Sequence, residues 1–177
     1  MKIGVSAFNP TSDEIFLTAF TQESKVLLGI SVDSGTIVRE FPTNFHTLDF
    51  DEQTGFLFGF AKLTVDQLTQ FPNFRNFSIS EKIINLSNSL HIIVLQKVDP
   101  TDGNSPQLVS VFDKYTEVFG SMSSIDVKSR KITAFLEYQD TVDLMTTNID
   151  TGEQVDAVYS FCKAEECTYT SLVYISQ

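Results

Sequence analysis

Apolar and polar residues alternate over short stretches of this chain. Examples are Ile30-Ser31-Val32, Leu48-Asp49-Phe50-Asp51 and Ile125-Asp126-Val127, and Leu172-Val173-Tyr174-Ile175 reads the same way near the end. Successive side chains of a strand point to opposite faces, so a period of two marks strands with one buried face. Polar turn signals separate these runs: Asn9-Pro10-Thr11-Ser12-Asp13, Asp33-Ser34-Gly35, Glu52-Gln53-Thr54-Gly55, Asp102-Gly103-Asn104, Lys128-Ser129-Arg130 and Asp150-Thr151-Gly152. A glycine closing such a turn supplies the positive φ that a tight hairpin needs. The pattern predicts an all-β, antiparallel protein of a dozen or more short strands.

The chain also repeats itself. Val5 to Phe41 and Ser124 to Phe161 each read as four strands joined by tight turns, and in both the two hairpin turns lie 22 residues apart, Ser12 to Ser34 and Ser129 to Thr151. A middle copy pairs His46–Asp51 with Phe56–Ala61 and Leu90–Val98 with Gln107–Phe112; its turns are 48 residues apart, which implies an insertion at about Lys62 to Ser89. Within the insertion, Thr64 and Gln67 have the spacing that caps a short helical turn. Tyr169 to Ser176 resembles the first strand of another copy. One domain, 1–177, is thus expected to hold blade-like units at 3–42, 43–119 with the insertion 62–89, 120–161, and a partial unit at 168–177.

Four-stranded antiparallel units of about 45 residues with glycine-ended hairpins resemble β-propeller blades. Asp51-Glu52-Gln53-Thr54-Gly55 and Asp150-Thr151-Gly152 are similar to the turns of YVTN- or NHL-type repeats, without a Trp-Asp or Gly-His signature that would name a family. The resemblance implies a partial or small propeller of about three blades plus part of a fourth. A β-sandwich or an open barrel is the alternative for the same strands. Three blades do not close a ring, and an unclosed ring leaves apolar faces and strand edges uncovered. A piece of a longer propeller, a small ring and a homodimer are the ways out.

Charge narrows the partners. The chain carries 23 acidic against 12 basic residues, a net charge of −11, and its three arginines, Arg39, Arg75 and Arg130, are dispersed. Nucleic acid and anionic membranes demand clustered Lys and Arg, so neither is an expected partner. No apolar run approaches the roughly 18 residues of a membrane helix. Met1 to Asn9 has no apolar core of the secretory type. A cytoplasmic location is expected, with secretion the alternative if the sequence is a piece of a longer one.

Candidate chemistry is sparse. Cys162 and Cys167 stand five residues apart, a spacing that suits a small disulfide or two thiols, and His46 and His91 are the only histidines. Acidic turns such as Asn148-Ile149-Asp150 and Asp49-Phe50-Asp51 lack the oxygen spacing of a calcium loop and read as turns that bond their own backbone. No phosphate loop, nucleophile elbow or zinc motif occurs, so no catalytic, metal or cofactor site is assigned. The insertion carries two sequons, at Asn76 and Asn85, and a phenylalanine cluster: Phe71, Phe74 and Phe77. That cluster is the candidate partner-binding patch, or else it folds back onto its own unit. The functional expectation is a non-catalytic protein-interaction or scaffold module. A piece of a propeller hydrolase or lyase and a structural homo-oligomer are the alternatives.

Overall fold

The computed structural model describes residues 2–20, 24–77, 91–103 and 106–163. Among these residues twelve strands form three separate four-stranded antiparallel sheets, each in simple up-and-down order. Sheet 1 holds β1 (Lys2–Asn9), β2 (Glu14–Phe20), β3 (Lys25–Ser31) and β4 (Ile37–Pro42). Sheet 2 holds β5 (Asp49–Phe50), β6 (Leu57–Thr64), β7 (His91–Val98) and β8 (Gln107–Phe112). Sheet 3 holds β9 (Glu117–Asp126), β10 (Lys131–Tyr138), β11 (Thr141–Asn148) and β12 (Gln154–Lys163). Among the described residues the sheets share no ladder, so these strands close no barrel. The sheets stack face to face in chain order as propeller blades do. The partial unit expected at 168–177 lies outside the described residues.

One local device sets the hairpins. At Asn9, Asp51, Asp99, Asp126 and Asn148 the side-chain Oδ1 accepts the backbone N–H two residues on, at 2.8 to 3.1 Å. Ser31 plays this part in the β3–β4 turn, accepting from Ser34 N–H at 3.4 Å. Four residues after each of these six positions the backbone turns left-handed: Asp13, Gly35, Gly55, Gly103, Arg130 and Gly152 have φ between 53° and 78°. The side chain stands in for a missing backbone partner and the left-handed residue reverses the chain. The 22-residue spacing read from the sequence is the spacing of these turns, Asn9 to Ser31 and Asp126 to Asn148.

Facing residues then build two interfaces. Phe16, Leu27 and Phe41 of sheet 1 pack on Leu57, Ala61, Leu63, Val94 and Leu108 of sheet 2. Phe58, Phe60, Ile93 and Leu95, on the opposite face of sheet 2, pack on Ile132, Ala134, Leu136 and Met145 of sheet 3. The middle strand β6 is therefore buried on both faces, which is why it reads Leu-Phe-Gly-Phe-Ala-Lys-Leu-Thr rather than as a strict alternation.

Sheet 2 begins irregularly. Phe45 bridges Ala61, His46 N–H bonds Phe60 O at 2.7 Å, and the Thr47 hydroxyl accepts Phe60 N–H at 3.0 Å before β5 itself. The strand expected over His46–Asp51 is thus a two-residue strand preceded by a side-chain-assisted approach. β6 runs on through Thr64, paired with His91, so Lys62 to Thr64 belong to the ladder rather than to the excursion.

Candidate functional site

The excursion after β6 helps to build a cleft. Thr64 caps the five-residue helix α1 (Val65–Thr69): its hydroxyl accepts Gln67 N–H while the Gln67 side chain accepts Thr64 N–H, the reciprocal box its spacing predicted. Val65 and Leu68 point into the core between sheets 1 and 2 and anchor the helix there. The chain then turns through Phe71 to a short 3₁₀ turn, Phe74–Asn76. Asn73 fastens this arch to the outer strand of sheet 2. Its Nδ2 donates to Leu108 O at 2.7 Å and its Oδ1 accepts Leu108 N–H at 3.4 Å, so one carboxamide mimics a neighbouring strand.

Between the arch, the β3–β4 end of sheet 1 and the β7–β8 end of sheet 2 lies a cleft of about 930 Å³. Phe41, Phe45 and Phe71 supply aromatic walls, and Asn44, Gln67, Gln70, Asn73, Gln96 and Gln107 supply carboxamides. Asn73 is engaged by Leu108 and the Gln67 oxygen by Thr64, and the remaining carboxamides carry both donors and acceptors, so the walls match a ligand that carries both, without demanding charge. Lys25 is the charged group among the described lining residues. Its ammonium donates to Phe45 O and lies 4.9 Å from the Phe20 ring centroid, and burial pushes its pKa down.

The three phenylalanines of the expected patch are found on this arch. Phe71, Phe74 and Phe77 are each half-buried and pack against the core shared by sheets 1 and 2. Phe71 also forms part of the cleft wall. Of the sequons, Asn76 is exposed at the end of the 3₁₀ turn, and Asn85 lies outside the described residues. Cys162 sits half-buried beside Met122, Phe135 and Val142 on sheet 3, and Cys167 lies outside the described residues.

A second polar group gathers at the inner strands. The Lys62 ammonium meets the Glu117 carboxylate at 2.6 Å. Burial, then the Lys25 charge, hold the His46 pKa down, Glu117 opposes them, and Lys62 adds to the lowering. One step further along, Ser123 Oγ donates to Asp49. Burial pushes Asp49 up to about 6, despite that bond and a second from the Ile125 backbone. Among the described residues no group of three or more His, Cys, Asp or Glu side chains is placed to hold a metal ion. The acidic turns serve the hairpins instead: Asn148 bonds its own turn, and Asp150 and Asp51 pair with Arg130. Sequence reasoning passed over the cleft because its walls come from four separate stretches and contain ordinary glutamines.

No known family model matches the chain. No curated protein matches it in sequence. Solved structures do match. The chain is similar over 90% of its length to a TolB-type protein from Agrobacterium tumefaciens, with a TM-score of 0.55 at 11% identity, and spans 50% of that chain. It is similar over 90% of its length to hydrazine synthase of Kuenenia stuttgartiensis, with a TM-score of 0.56 at 9% identity, and spans 37% of that chain. The β-propeller domain of the trilobed protease from Pyrococcus furiosus matches at a TM-score of 0.49 and 7% identity, over 89% of this chain and 42% of that one. At such identities the likeness concerns architecture alone. Among the described residues no helix is long and apolar enough to cross a membrane. The chain spans half or less of these three structures, and its fold is that of β-propeller blades.

Proposed function

We propose that this chain is a non-catalytic protein-interaction module whose binding site is the cleft under the α1 arch. The observation that carries this reading is the composition of its walls: six carboxamides and three phenylalanines around one half-buried lysine. Such walls suit an uncharged, extended stretch of a partner protein. Its backbone N–H and C=O groups find partners in Gln and Asn, and an apolar side chain finds the rings. A cleft of about 930 Å³ falls in the range of roughly 300–1,000 Å³ typical of specific ligand sites. The phenylalanine cluster contributes Phe71 to the wall, while Phe74 and Phe77 back the arch from the core side.

Selection from a displayed peptide library tests it. Enriched sequences are expected to be uncharged and to carry an aromatic or aliphatic anchor. They are expected to lose binding to Phe71→Ala and Gln107→Ala variants that keep the wild-type circular dichroism. Enrichment that both variants retain would place the site elsewhere. Deleting 62–89 as a unit is not a fair test, because Leu63, Val65 and Leu68 are 1, 8 and 0% exposed members of the core.

A further inference from the structure

Among the described residues, Lys25 lies over the Phe20 ring and Lys97 over the Phe56 ring, one ring each. Lys114 lies over three. Its ammonium is 4.7 Å from the ring centroids of Tyr115 and of Tyr159, and 5.7 Å from that of Tyr138. All three distances fall within the roughly 6 Å at which a ring face attracts a cation.

Three separate stretches bring these rings together. Lys114 and Tyr115 belong to the link between β8 and β9. In that link Thr116 N–H bonds Glu137 O at 2.9 Å, which holds it beside the end of β10, where Tyr138 is the last residue. The Tyr115 and Tyr138 rings meet edge to face, at 71° with centroids 6.3 Å apart, and so form two walls of a corner. The third wall comes from β12. Its pairing with β11 shifts register between the Val142–Cys162 and Leu144–Val158 partners, and Tyr159 lies in that irregular stretch. A bulge in a strand re-aims a side chain in this way. The Tyr115 hydroxyl donates to the Asp143 carboxylate at 2.9 Å, and Asp143 is 3% exposed. Donation to a charged acceptor makes the phenol ring richer in electrons, which strengthens the pull of its face on a cation.

The cage is open to solvent and its present occupant suits it poorly. Tyr138 and Tyr159 are 38 and 63% exposed, and Lys114 is exposed as well. Among the described residues Lys114 forms no ion pair. A primary ammonium is compact and strongly hydrated, with three N–H donors that ring faces satisfy less well than oxygens do. A trimethylated ammonium keeps the charge, carries no donor, and lays methyl groups on the rings. The net charge of −11 favours a cationic ligand over an anionic one. We propose that Tyr115, Tyr138 and Tyr159 form a binding site for a trimethylated ammonium group, and that Lys114 fills the site in its absence. A trimethyl-lysine side chain and a choline headgroup both carry this group. The proposal does not rest on the cleft, to whose walls none of these residues contributes.

NMR titration of the full chain with tetramethylammonium chloride tests it. The tyrosine ring and Lys114 side-chain resonances are the readout. Ring currents shift the Lys114 ε-methylene protons upfield, and the added cation is expected to return them towards the ordinary lysine position as it displaces the ammonium. Potassium chloride at the same concentration is expected to leave them in place. Lys114→Gln removes the internal competitor and is expected to tighten binding about tenfold. Tyr159→Ala is expected to weaken it about tenfold or more, and Tyr159→Phe to stay close to the wild type. Both positions are exposed, so each variant is expected to keep the wild-type circular dichroism. Blocked trimethyl-lysine is expected to bind about tenfold or more tighter than blocked lysine. Comparison with phosphocholine then identifies the carrier, and a preference for either supports the site. A Lys114→Gln variant whose tyrosine resonances do not respond to tetramethylammonium at about 50 mM, where a millimolar site is filled, would overturn the proposal. So would binding that Tyr138→Ala and Tyr159→Ala both retain, or equal binding of lysine and trimethyl-lysine.

Discussion

Arg130 reaches out of the β9–β10 turn of sheet 3 to donate through Nη1 to Asp51 of sheet 2 at 2.8 Å. Its Nε and Nη2 hold Asp150 at 3.0 and 2.8 Å. Asp51 is 0% exposed and also accepts from Gln53 N–H and Thr54 Oγ. The guanidinium thus neutralises a buried charge and ties two blades at one point. The two carboxylates hold its pKa well above the usual arginine range.

Removing that guanidinium leaves the Asp51 charge buried with only neutral donors. Arg130 also has φ 58°, where the sheet 2 turn has Gly55. Arg130→Gly relieves the backbone and loses the ion pair. Since an orphaned buried charge costs about 3–5 kcal/mol and a left-handed residue about 1, the variant is expected to lose about 2 kcal/mol or more. Urea unfolding checks the loss, and it is expected to persist in high salt because Asp51 is shielded from it.

The glycines make a second comparison. Gly35 and Gly152 have φ 64° and 74°, so alanine costs each the same backbone strain of about 1 kcal/mol. At Gly152 a Cβ would also lie 1.8 Å from Val109 O. Gly152→Ala is expected to destabilise the isolated chain by at least about 2 kcal/mol more than Gly35→Ala, read from thermal unfolding under monomeric conditions.

Asp49 carries a pH signature. Its carboxyl titrates near 6 in the fold, raised by burial from an ordinary 3.8. Between those values the folded chain holds the extra proton, so this group's contribution weakens stability as pH rises through the window. Asn at this position can keep the bond from Ser123 without the charge. Asp49→Asn is expected to be more stable than the wild type by about 2 kcal/mol at pH 8, with the advantage gone by pH 4. An advantage independent of pH would show that Asp49 is not the titrating group. His46, whose pKa is held down, contributes in the opposite sense as pH falls, and the difference between variants cancels it.

The arch depends on one side chain. Asn73→Ala removes two bonds to Leu108 and is expected to cost about 1–2 kcal/mol. Hydrogen exchange at Leu108 N–H should quicken more than exchange in β6, whose ladder does not involve Asn73.

Much of the fold was legible because its causes are local. Asn9, Asp51, Asp126 and Asn148 each act within four residues, so turn chemistry and spacing exposed the hairpins and their repetition. What stayed hidden depends on distance along the chain. Arg130 and Asp51 are 79 residues apart, and neither neighbourhood hints at the other. The cleft draws on sheet 1, sheet 2 and the arch, and only packing shows that Gln96 and Phe41 face the same space. Phe71, Phe74 and Phe77 read as a patch because sequence shows apolarity but not which surface covers it. Lys62 to Thr64 read as insertion because the turn spacing cannot say where a ladder ends.

The turns also bear on the order in which the molecule assembles. Each carries its own reversal signal, so β1–β2, β3–β4, β5–β6, β7–β8, β9–β10 and β11–β12 require only closures between near neighbours in the chain. Such closures take microseconds, whereas docking one sheet on another joins residues many tens of positions apart. Hairpins are therefore expected to form early and reversibly, with the barrier to folding at the docking of Phe16 and Leu27 on Leu57 and Ala61. Changes in the turns should alter the unfolding rate less than the folding rate only if a hairpin is part of that barrier; changes across the sheet 1–sheet 2 contact should slow folding itself.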